Sequence, residues 1–215
     1  LAVKGLMASK FRNAGQTCVS PNRVLVQAGI HDRFVAAMAE KMRALKVGPG
    51  TGRDIAIGPL ISDAALEKVQ RLVADAQARG ATCVLGGEAM PALGPRFFAP
   101  TLLTGVDPLM ALSCEEVFGP MVPVMRFETE AEAVAIANGT PYGLAAYFYT
   151  ADQRRTWRMV EALEYGMVGA NEAMISNEAA PFGGIKESGI GREGSMYGIG
   201  EYLETKYLCL GGLKG

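Results

Sequence analysis

The chain has 215 residues, of which 49% are hydrophobic, and its formal net charge is -1 at pH 7. A chain of this length buries about 70% of its unfolded surface in one or two domains. The near-neutral charge gives no broad basic face for nucleic acid, and no run of about 18 apolar residues is present to span a membrane. We therefore expect a globular protein that binds neither nucleic acid nor membrane.

The cysteine and histidine content argues against a metal site. Cys18, Cys83, Cys114 and Cys209 lie far apart, and His31 is the only histidine. Without a Cys-x-x-Cys spacing a structural zinc site is disfavoured, and no metal is expected. Unpaired cysteines favour a cytoplasmic location. His31 is interpreted as a surface residue at a helix start rather than a catalytic base.

Strand-like and helix-like segments alternate along the first half of the chain. A strand is predicted over Val24–Gln27, followed by a helix whose apolar face consists of Phe34, Val35, Met38, Met42 and Leu45. A second helix is predicted to begin after the N-cap Ser62 and to end at Gly80, with an apolar face of Leu66, Val69, Leu72, Val73 and Ala76. The next strand is predicted over residues 82–85.

The second half continues this alternation. Thr129 with Glu132, and Thr150 with Gln153, form capping boxes that predict two more helix starts. Strands are predicted over residues 145–149 and 167–171. The order strand, helix, strand implies right-handed crossovers between parallel strands. We therefore predict an α/β fold with three layers, α/β/α, around a mostly parallel sheet.

The segment Phe11-Arg-Asn-Ala-Gly-Gln-Thr-Cys18 places a cysteine just after a glycine in a polar setting. A reactive thiolate needs positive potential and access, and we expect Arg12, Arg23 and exposed loop amides to supply them. The alternative is that Cys18 is an inert core residue, which is the commoner role of a free cysteine.

Three further segments resemble the C-terminal half of an aldehyde dehydrogenase. They are Glu115-Glu-Val-Phe-Gly-Pro120, Pro181-Phe-Gly-Gly-Ile-Lys186 and Ser188-Gly-Ile-Gly-Arg-Glu193. Their order and spacing after the Cys18 segment extend the resemblance over essentially the whole chain. Lys10–Cys18, Ile175–Asn177 and Tyr202–Tyr207 are similar in particular to succinate-semialdehyde dehydrogenases, and glutarate-semialdehyde dehydrogenases share much of the pattern.

The resemblance implies a role for each residue of a dehydrogenase site. Cys18 attacks the aldehyde, a hydride passes to NAD or NADP, and water hydrolyses the resulting thioester, while the Cys18 backbone N–H helps to form the oxyanion hole. Glu116 holds the nicotinamide ribose and Phe118 packs near the ring; the alternative for Glu116 is a solvated surface acid. Glu115 is interpreted as structural.

The same resemblance assigns Arg12 and Ser176 to the far carboxylate of a semialdehyde substrate, which suits the planar fork of arginine. An arginine at a helix end is otherwise usually solvated. Asn171, Phe182 and Gly183 are expected only to shape the pocket or its loops.

Two motifs are interpreted as lacking their usual function. Gly189-Ile-Gly-Arg-Glu-Gly194 spells a dinucleotide fingerprint, but it follows a glycine-rich loop instead of a strand, so its glycines are expected to permit tight turns. Ser20 stands where many family members carry a second cysteine that closes a regulatory disulfide. A thiol switch of that kind is therefore not expected.

The resemblance also implies a division of the chain and a partner. Residues 1–200 would form the catalytic domain, and residues 201–215 a C-terminal strand that joins a neighbouring subunit, so a homo-oligomer is expected. The family's N-terminal cofactor-binding domain and its general-base glutamate lie upstream of Leu1. Two hypotheses follow: an enzyme half that is inactive without that domain, or a non-catalytic folding or oligomerisation module.

Overall fold

The computed structural model describes residues 1–212, and its helices and strands follow the predicted alternation. The six α-helices of this part are α1 to α6 in chain order, with the bounds Ala2–Lys10, His31–Arg43, Asp63–Ala78, Ala111–Cys114, Glu130–Asn138 and Gln153–Ala162. Its eight strands are β1 to β8, with the bounds Val24–Gln27, Thr82–Leu85, Thr101–Thr104, Met121–Phe127, Tyr142–Gly143, Ala145–Phe148, Met167–Ala170 and Ile185–Lys186.

The principal sheet has four strands in the order β1-β4-β3-β2. β1 and β3 both pair with β4 in parallel, whereas β2 pairs antiparallel with β3 at the edge. A separate parallel pair joins β6 to β7, and a short antiparallel pair joins β5 to β8. The prediction of an α/β fold with a mostly parallel sheet is confirmed.

Helices cover both faces of the principal sheet, because successive side chains of β4 point to opposite faces and are apolar on both. On one face, Leu6 and Phe11 at the end of α1 and Met38 and Met42 of α2 pack with Val24, Val26, Val122 and Val124 of the sheet. On the other face, Val69, Leu72, Val73 and Ala76 of α3 pack with Leu103, Met121 and Met125. The predicted three layers are therefore present.

Two of the predicted helix starts have different outcomes. Thr129 caps α5 as predicted, with its Oγ1 accepting a hydrogen bond from the N–H of Glu132 at 3.2 Å. The capping box at Thr150 is wrong, because Asp152 is the N-cap of α6 and accepts hydrogen bonds from the next helical N–H groups. Thr150 instead accepts a hydrogen bond from the N–H of Asp152. A carboxylate at the N-cap also interacts favourably with the helix dipole, so it outcompetes the hydroxyl.

The segment predicted as a C-terminal strand begins with a helical turn, and no strand is formed over residues 203–212. Gly198–Tyr202 forms a 3₁₀ helix, so Glu201 and Tyr202 are helical. Leu203 has extended backbone angles, and residues 203–212 are exposed and pair with no strand of the described chain. Residues 213–215 of the predicted segment lie outside the described residues. Pairing of this segment with a second subunit stays a prediction.

Candidate active site

The loop that presents Cys18 begins with an unusual backbone. Asn13, Ala14 and Gly15 all have positive φ angles, of 51°, 56° and 76°. Such angles are costly for residues with a Cβ, and they cluster at functional sites. A Cβ on Gly15 would collide with the carbonyl oxygen of Gly119, so only glycine allows this close approach of two loops.

The side chain of Gln16 links the Cys18 loop to the backbone of Ile61. Its Oε1 accepts a hydrogen bond from the N–H of Ile61 at 2.9 Å, while Asn13 Nδ2 donates to the Gln16 carbonyl at 3.0 Å. Cys18 itself is exposed. Within residues 1–212, no hydrogen bond is formed by its backbone N–H. The loop therefore offers an accessible thiol together with an unpaired donor.

The loop of Glu115 to Gly119 lies against the Cys18 loop because Asn22 links them. Asn22 Oδ1 accepts a hydrogen bond from the N–H of Val117 at 2.6 Å, and its Nδ2 donates to the Glu115 carbonyl at 3.0 Å. Phe118 has a φ of 51° and is 37% exposed, so this loop also holds a non-glycine residue in the left-handed region.

The two adjacent glutamates of this loop have different surroundings. Glu115 forms a bidentate pair with Arg71, at 2.6 and 3.1 Å, and these hydrogen bonds hold the pKa of its carboxyl below the usual range. Glu116 is exposed and lines the same cavity as Cys18. Glu116 therefore has a carboxylate available for a ligand, whereas that of Glu115 is engaged in holding α3 to the loop.

This cavity has a volume of about 590 Å³ and extends from the Cys18 loop along β1 and β6. Tyr147 lies at its boundary and donates a hydrogen bond from its hydroxyl to the carbonyl of Val19 at 2.9 Å. Burial, followed by the negative charge of the Cys18 thiolate, raises the pKa of Tyr147. Tyr147 therefore remains a neutral donor that fixes the chain next to Cys18.

A second pocket next to the Cys18 loop, with a volume of about 10 Å³, brings Arg12 and Ser176 together. Thr17, Val19 and Tyr147 also line it. The Arg12 guanidinium is exposed and forms no hydrogen bond or ion pair within residues 1–212. A free guanidinium next to a hydroxyl is suited to bind a carboxylate.

The structure shows which groups the guanidinium of Arg23 contacts. Its guanidinium donates hydrogen bonds to the carbonyls of Ile136 and Ala137 at 2.8 and 2.7 Å, and to the Tyr165 hydroxyl at 3.0 Å. These donors cap the C-terminal turn of α5. The contribution of the Arg23 charge to the potential at Cys18 stays a prediction.

Sequence reasoning overlooked three residues that shape the site, namely Lys10, Asn22 and Tyr147. Lys10 is 1% exposed, and its burial lowers the pKa of its amine from 10.5 to about 7, against the opposing effect of Glu116. A lysine between the apolar residues of a helix end is a signal that could have been noticed. Asn22 and Tyr147 act through contacts distant in sequence, which no local pattern reveals.

Among residues 1–212, no cluster of three or more His, Cys, Asp or Glu side chains is arranged to hold a metal ion. None of the helices in this described part is long and apolar enough to cross a membrane. Gly189 and Gly194 of the rejected fingerprint have positive φ angles of 98° and 65°, in agreement with tight turns, and a Cβ on the neighbouring Gly183 would collide with the Gly191 carbonyl.

We expect Cys18 to react with iodoacetamide about tenfold faster than any other cysteine of the folded chain. Burial raises the pKa of the Cys83 thiol, and the Cys114 thiol donates to the Pro108 carbonyl at 3.5 Å. Brief labelling followed by peptide mass mapping measures the four rates, and a Cys18→Ser variant provides the control. Faster labelling of Cys83, Cys114 or Cys209 would contradict the assignment of Cys18 as the reactive thiol.

Comparison with known proteins identifies the family. The aldehyde dehydrogenase family profile matches residues 1–208. The mitochondrial succinate-semialdehyde dehydrogenase of Homo sapiens is 57% identical over 213 residues, which cover 99% of this chain and 40% of the human protein. The crystal structure of succinate-semialdehyde dehydrogenase from Burkholderia pseudomallei matches with a TM-score of 0.95 and 54% identity, covering 97% of this chain and 43% of that one.

A third relative was crystallised with a cofactor. Betaine aldehyde dehydrogenase from Staphylococcus aureus, in complex with NAD+, matches with a TM-score of 0.91 and 38% identity over 95% of this chain and 41% of that one. The chain thus spans about 40% of the length of these relatives. Because the profile and the structural match both extend over nearly all of its residues, the chain belongs to the aldehyde dehydrogenase family.

Proposed function

We propose that this chain is the catalytic part of an NAD(P)-dependent semialdehyde dehydrogenase, which oxidises succinate semialdehyde or glutarate semialdehyde to the dicarboxylic acid. The observation that carries the proposal is that Cys18 lines one cavity while its neighbours Thr17 and Val19 line a second pocket. One contains the available carboxylate of Glu116, and the other contains the unpaired guanidinium of Arg12. The similarity to named succinate-semialdehyde dehydrogenases supports the same substrate class.

Cys18 supplies the nucleophile. Its thiolate forms a bond to the aldehyde carbon, and the π electrons of the carbonyl move to oxygen, where the Cys18 backbone N–H stabilises the negative charge. Collapse of this adduct releases the hydrogen of the aldehyde carbon with its electron pair and leaves a thioester. Water then adds to the thioester carbon, the carbon–sulfur bond breaks, and the acid leaves with Cys18 restored.

Glu116 and Phe118 fit a nicotinamide nucleotide. The Glu116 carboxylate is exposed in the cavity and can accept hydrogen bonds from two vicinal ribose hydroxyls, while the exposed Phe118 ring provides an apolar surface for the base. When bound, the dinucleotide accepts the hydride. Asn22 fixes the loop that carries both residues and therefore sets their distance from Cys18.

Arg12 and Ser176 select the substrate. A semialdehyde carries a carboxylate a few carbons from its aldehyde group, and Thr17 and Val19, which flank Cys18, also line the Arg12 pocket. A substrate with its carbonyl at Cys18 can therefore place its far carboxylate on the guanidinium and the Ser176 hydroxyl. Such a charge-assisted contact stabilises by about 1.5–3 kcal/mol.

Replacing Arg12 by alanine in the full-length enzyme should lower kcat/KM for succinate semialdehyde about 10- to 150-fold more than for an uncharged aldehyde of similar length. The measured quantity is the ratio of the two kcat/KM values, in which any general loss of folding or thiol reactivity cancels. Arg33→Ala is the matched control, because Arg33 is an exposed arginine of α2 that lines neither pocket. An equal loss for both aldehydes would show that Arg12 does not bind the carboxylate.

The proposal also includes the oligomeric state and the cellular location of the enzyme. Exposed apolar side chains near the C-terminus, including Tyr202 and Tyr207 at 86% each, support a homo-oligomer in which this segment pairs with a second subunit. A cytoplasmic location rests on the free cysteines, while the name of the human relative places that protein in mitochondria. The alternative of a non-catalytic module is not favoured, because the Cys18 and Glu116 loops are both retained.

A further inference from the structure

A partition of three residues separates the two pockets beside Cys18. Ser9, Val19 and Tyr147 line both the cavity of about 590 Å³ and the smaller pocket of Arg12. Residues that line two pockets form the wall between them. Of these two pockets, Cys18 lines the large cavity and Arg12 lines the small one, so a substrate that contacts both must cross the partition.

The small pocket has room for little more than one polar group. Its volume of about 10 Å³ corresponds to about one water molecule. A carboxylate next to Arg12 and Ser176 can occupy it, whereas the hydrocarbon chain of a substrate has to lie in the passage from the large cavity. The length of that chain is therefore limited by the distance from Cys18 to the pocket and by the side chains between them.

Tyr147 contributes the largest side chain of the partition. The Ser9 hydroxyl is small and donates to a backbone carbonyl of its own helix at 3.0 Å. Val19 directly follows Cys18 within a turn that is closed by a backbone hydrogen bond of 3.0 Å between the two flanking residues. The position of Val19 is therefore tied to that of the nucleophile. Tyr147, which comes from β6, is the residue whose size sets the width of the passage.

The ring of Tyr147 is held in place by contacts at both of its ends. Its hydroxyl donates to the Val19 carbonyl at 2.9 Å. The register of β6 and β7 places Gly169 opposite Tyr147. A Cβ on Gly169 would lie 2.9 Å from the Tyr147 ring and 3.0 Å from the Ile175 side chain, so both side chains pack over the glycine. Because Ile175 precedes Ser176, the ring lies between the Cys18 loop and the loop that carries the Ser176 hydroxyl.

We propose that the Tyr147 ring limits the substrate to short semialdehydes, so that the four-carbon succinate semialdehyde is accepted in preference to those with five and six carbons. This inference rests on the proposed function, because it concerns the chain that joins an aldehyde at Cys18 to a carboxylate at Arg12. The ring occupies the space into which a longer chain would have to bend. A chain with additional methylene groups then loses either its contact with Arg12 or its position at Cys18.

Protection of Cys18 from iodoacetamide tests the proposal on the 215-residue chain. An aldehyde adds reversibly to the thiol: sulfur bonds to the carbonyl carbon, the proton passes to the carbonyl oxygen, and the thiohemiacetal is not alkylated. Succinate, glutarate and adipate semialdehydes, which have four, five and six carbons, are compared by the concentration that halves the alkylation rate. We expect this concentration to be about tenfold or more lower for succinate semialdehyde than for adipate semialdehyde.

Variants of Tyr147 separate the size of the ring from its hydrogen bond. Tyr147→Ala opens the passage and should reduce the preference for succinate semialdehyde about tenfold, whereas Tyr147→Phe keeps the ring and should keep the preference. Tyr147→Leu covers the case in which the alanine variant does not fold, because it retains an apolar side chain of intermediate size. Tyr142→Ala is the matched control, since Tyr142 is exposed and lines the large cavity but not the pocket of Arg12.

The possible results distinguish this proposal from the proposed function. Unchanged ratios in both Tyr147→Ala and Tyr147→Leu, an equal change in Tyr142→Ala, or loss of the preference in Tyr147→Phe would overturn the role of the ring alone. Failure of the proposed function would overturn both: the semialdehydes would protect Cys18 no better than butanal, pentanal and hexanal, in wild type and in Arg12→Ala alike. The kcat/KM ratios of the full-length enzyme for the three semialdehydes should change in the same direction.

Discussion

Replacing Cys18 by serine in the full-length enzyme is expected to lower kcat for semialdehyde oxidation by about 10³-fold or more. A serine hydroxyl is a much weaker nucleophile than a thiolate, because it stays protonated at neutral pH. The hydroxyl of Tyr147 is hydrogen-bonded to the carbonyl of the adjacent Val19, and its raised pKa makes it a donor instead of a base.

Cys114→Ser is a stringent control for this prediction. Cys114 is exposed and lines the same cavity as Cys18, but its thiol is directed to the Pro108 carbonyl. We expect this variant to retain kcat within about twofold, since surface substitutions away from special features have small effects. Initial rates of NAD(P)H formation, with near-native circular dichroism for both variants, provide the measurement. Retention of activity by Cys18→Ser, or its loss in Cys114→Ser, would contradict the mechanism.

The sequence was most informative where local signals agree. Ser62 caps α3 with its Oγ accepting from the N–H of Ala65 at 3.1 Å, and the apolar period of that helix ends before Gly80, as predicted. β1 occupies the predicted residues, and β6 and β7 each end one residue earlier than predicted. Leu45 packs against the core although α2 ends at Arg43.

Other elements escaped prediction for physical reasons. β4 is central and buried on both faces, but it contains Pro123, a residue that is usually confined to strand edges. β3 lies outside the predicted strands and has only four residues, three of them fully buried, so it shows no alternation of polar and apolar residues.

For the candidate active site as well, local sequence patterns predicted only part of the arrangement. The motifs predicted which residues could act, but the geometry that makes them act depends on distant contacts. Asn22 joins the loops of Cys18 and Glu116 across more than ninety residues of sequence, with a hydrogen-bonded partner as far away as Val117. Arg23, in contrast, appeared close to Cys18 in the sequence and is instead engaged at the end of α5. Proximity along the chain was therefore a poor guide to hydrogen-bonding partners.

Replacing the buried Lys10 by methionine is expected to stabilise the 215-residue chain at pH 7 and below, by an amount on the order of 3–5 kcal/mol. Burial lowers the pKa of Lys10 from 10.5 to about 7, and the charge of Glu116 only partly opposes this effect. The folded state therefore disfavours the ammonium, which the unfolded chain retains up to its own pKa. Methionine has a similar length and carries no charge to desolvate.

The stabilisation by Lys10→Met should depend on pH, because Lys10 has a lower pKa in the folded state than in the unfolded state. Between about pH 7 and 10.5 the unfolded state binds one more proton at Lys10 than the folded state does, so wild-type stability rises with pH across this window. The advantage of Lys10→Met should accordingly be constant below pH 7 and shrink by about 1.4 kcal/mol for each pH unit above it. Urea unfolding at pH 6, 8 and 9.5 measures both free energies.

Lys4→Met is the matched control, because Lys4 is an exposed lysine of the same helix, and its effect should stay within about 0.5 kcal/mol at every pH. A Lys10→Met variant that is destabilised, or whose advantage does not change between pH 6 and 9.5, would show that the buried amine is compensated in the folded chain. The predicted result would show that Lys10 carries a buried positive charge near Glu116 below pH 7, at a cost in the free energy of unfolding.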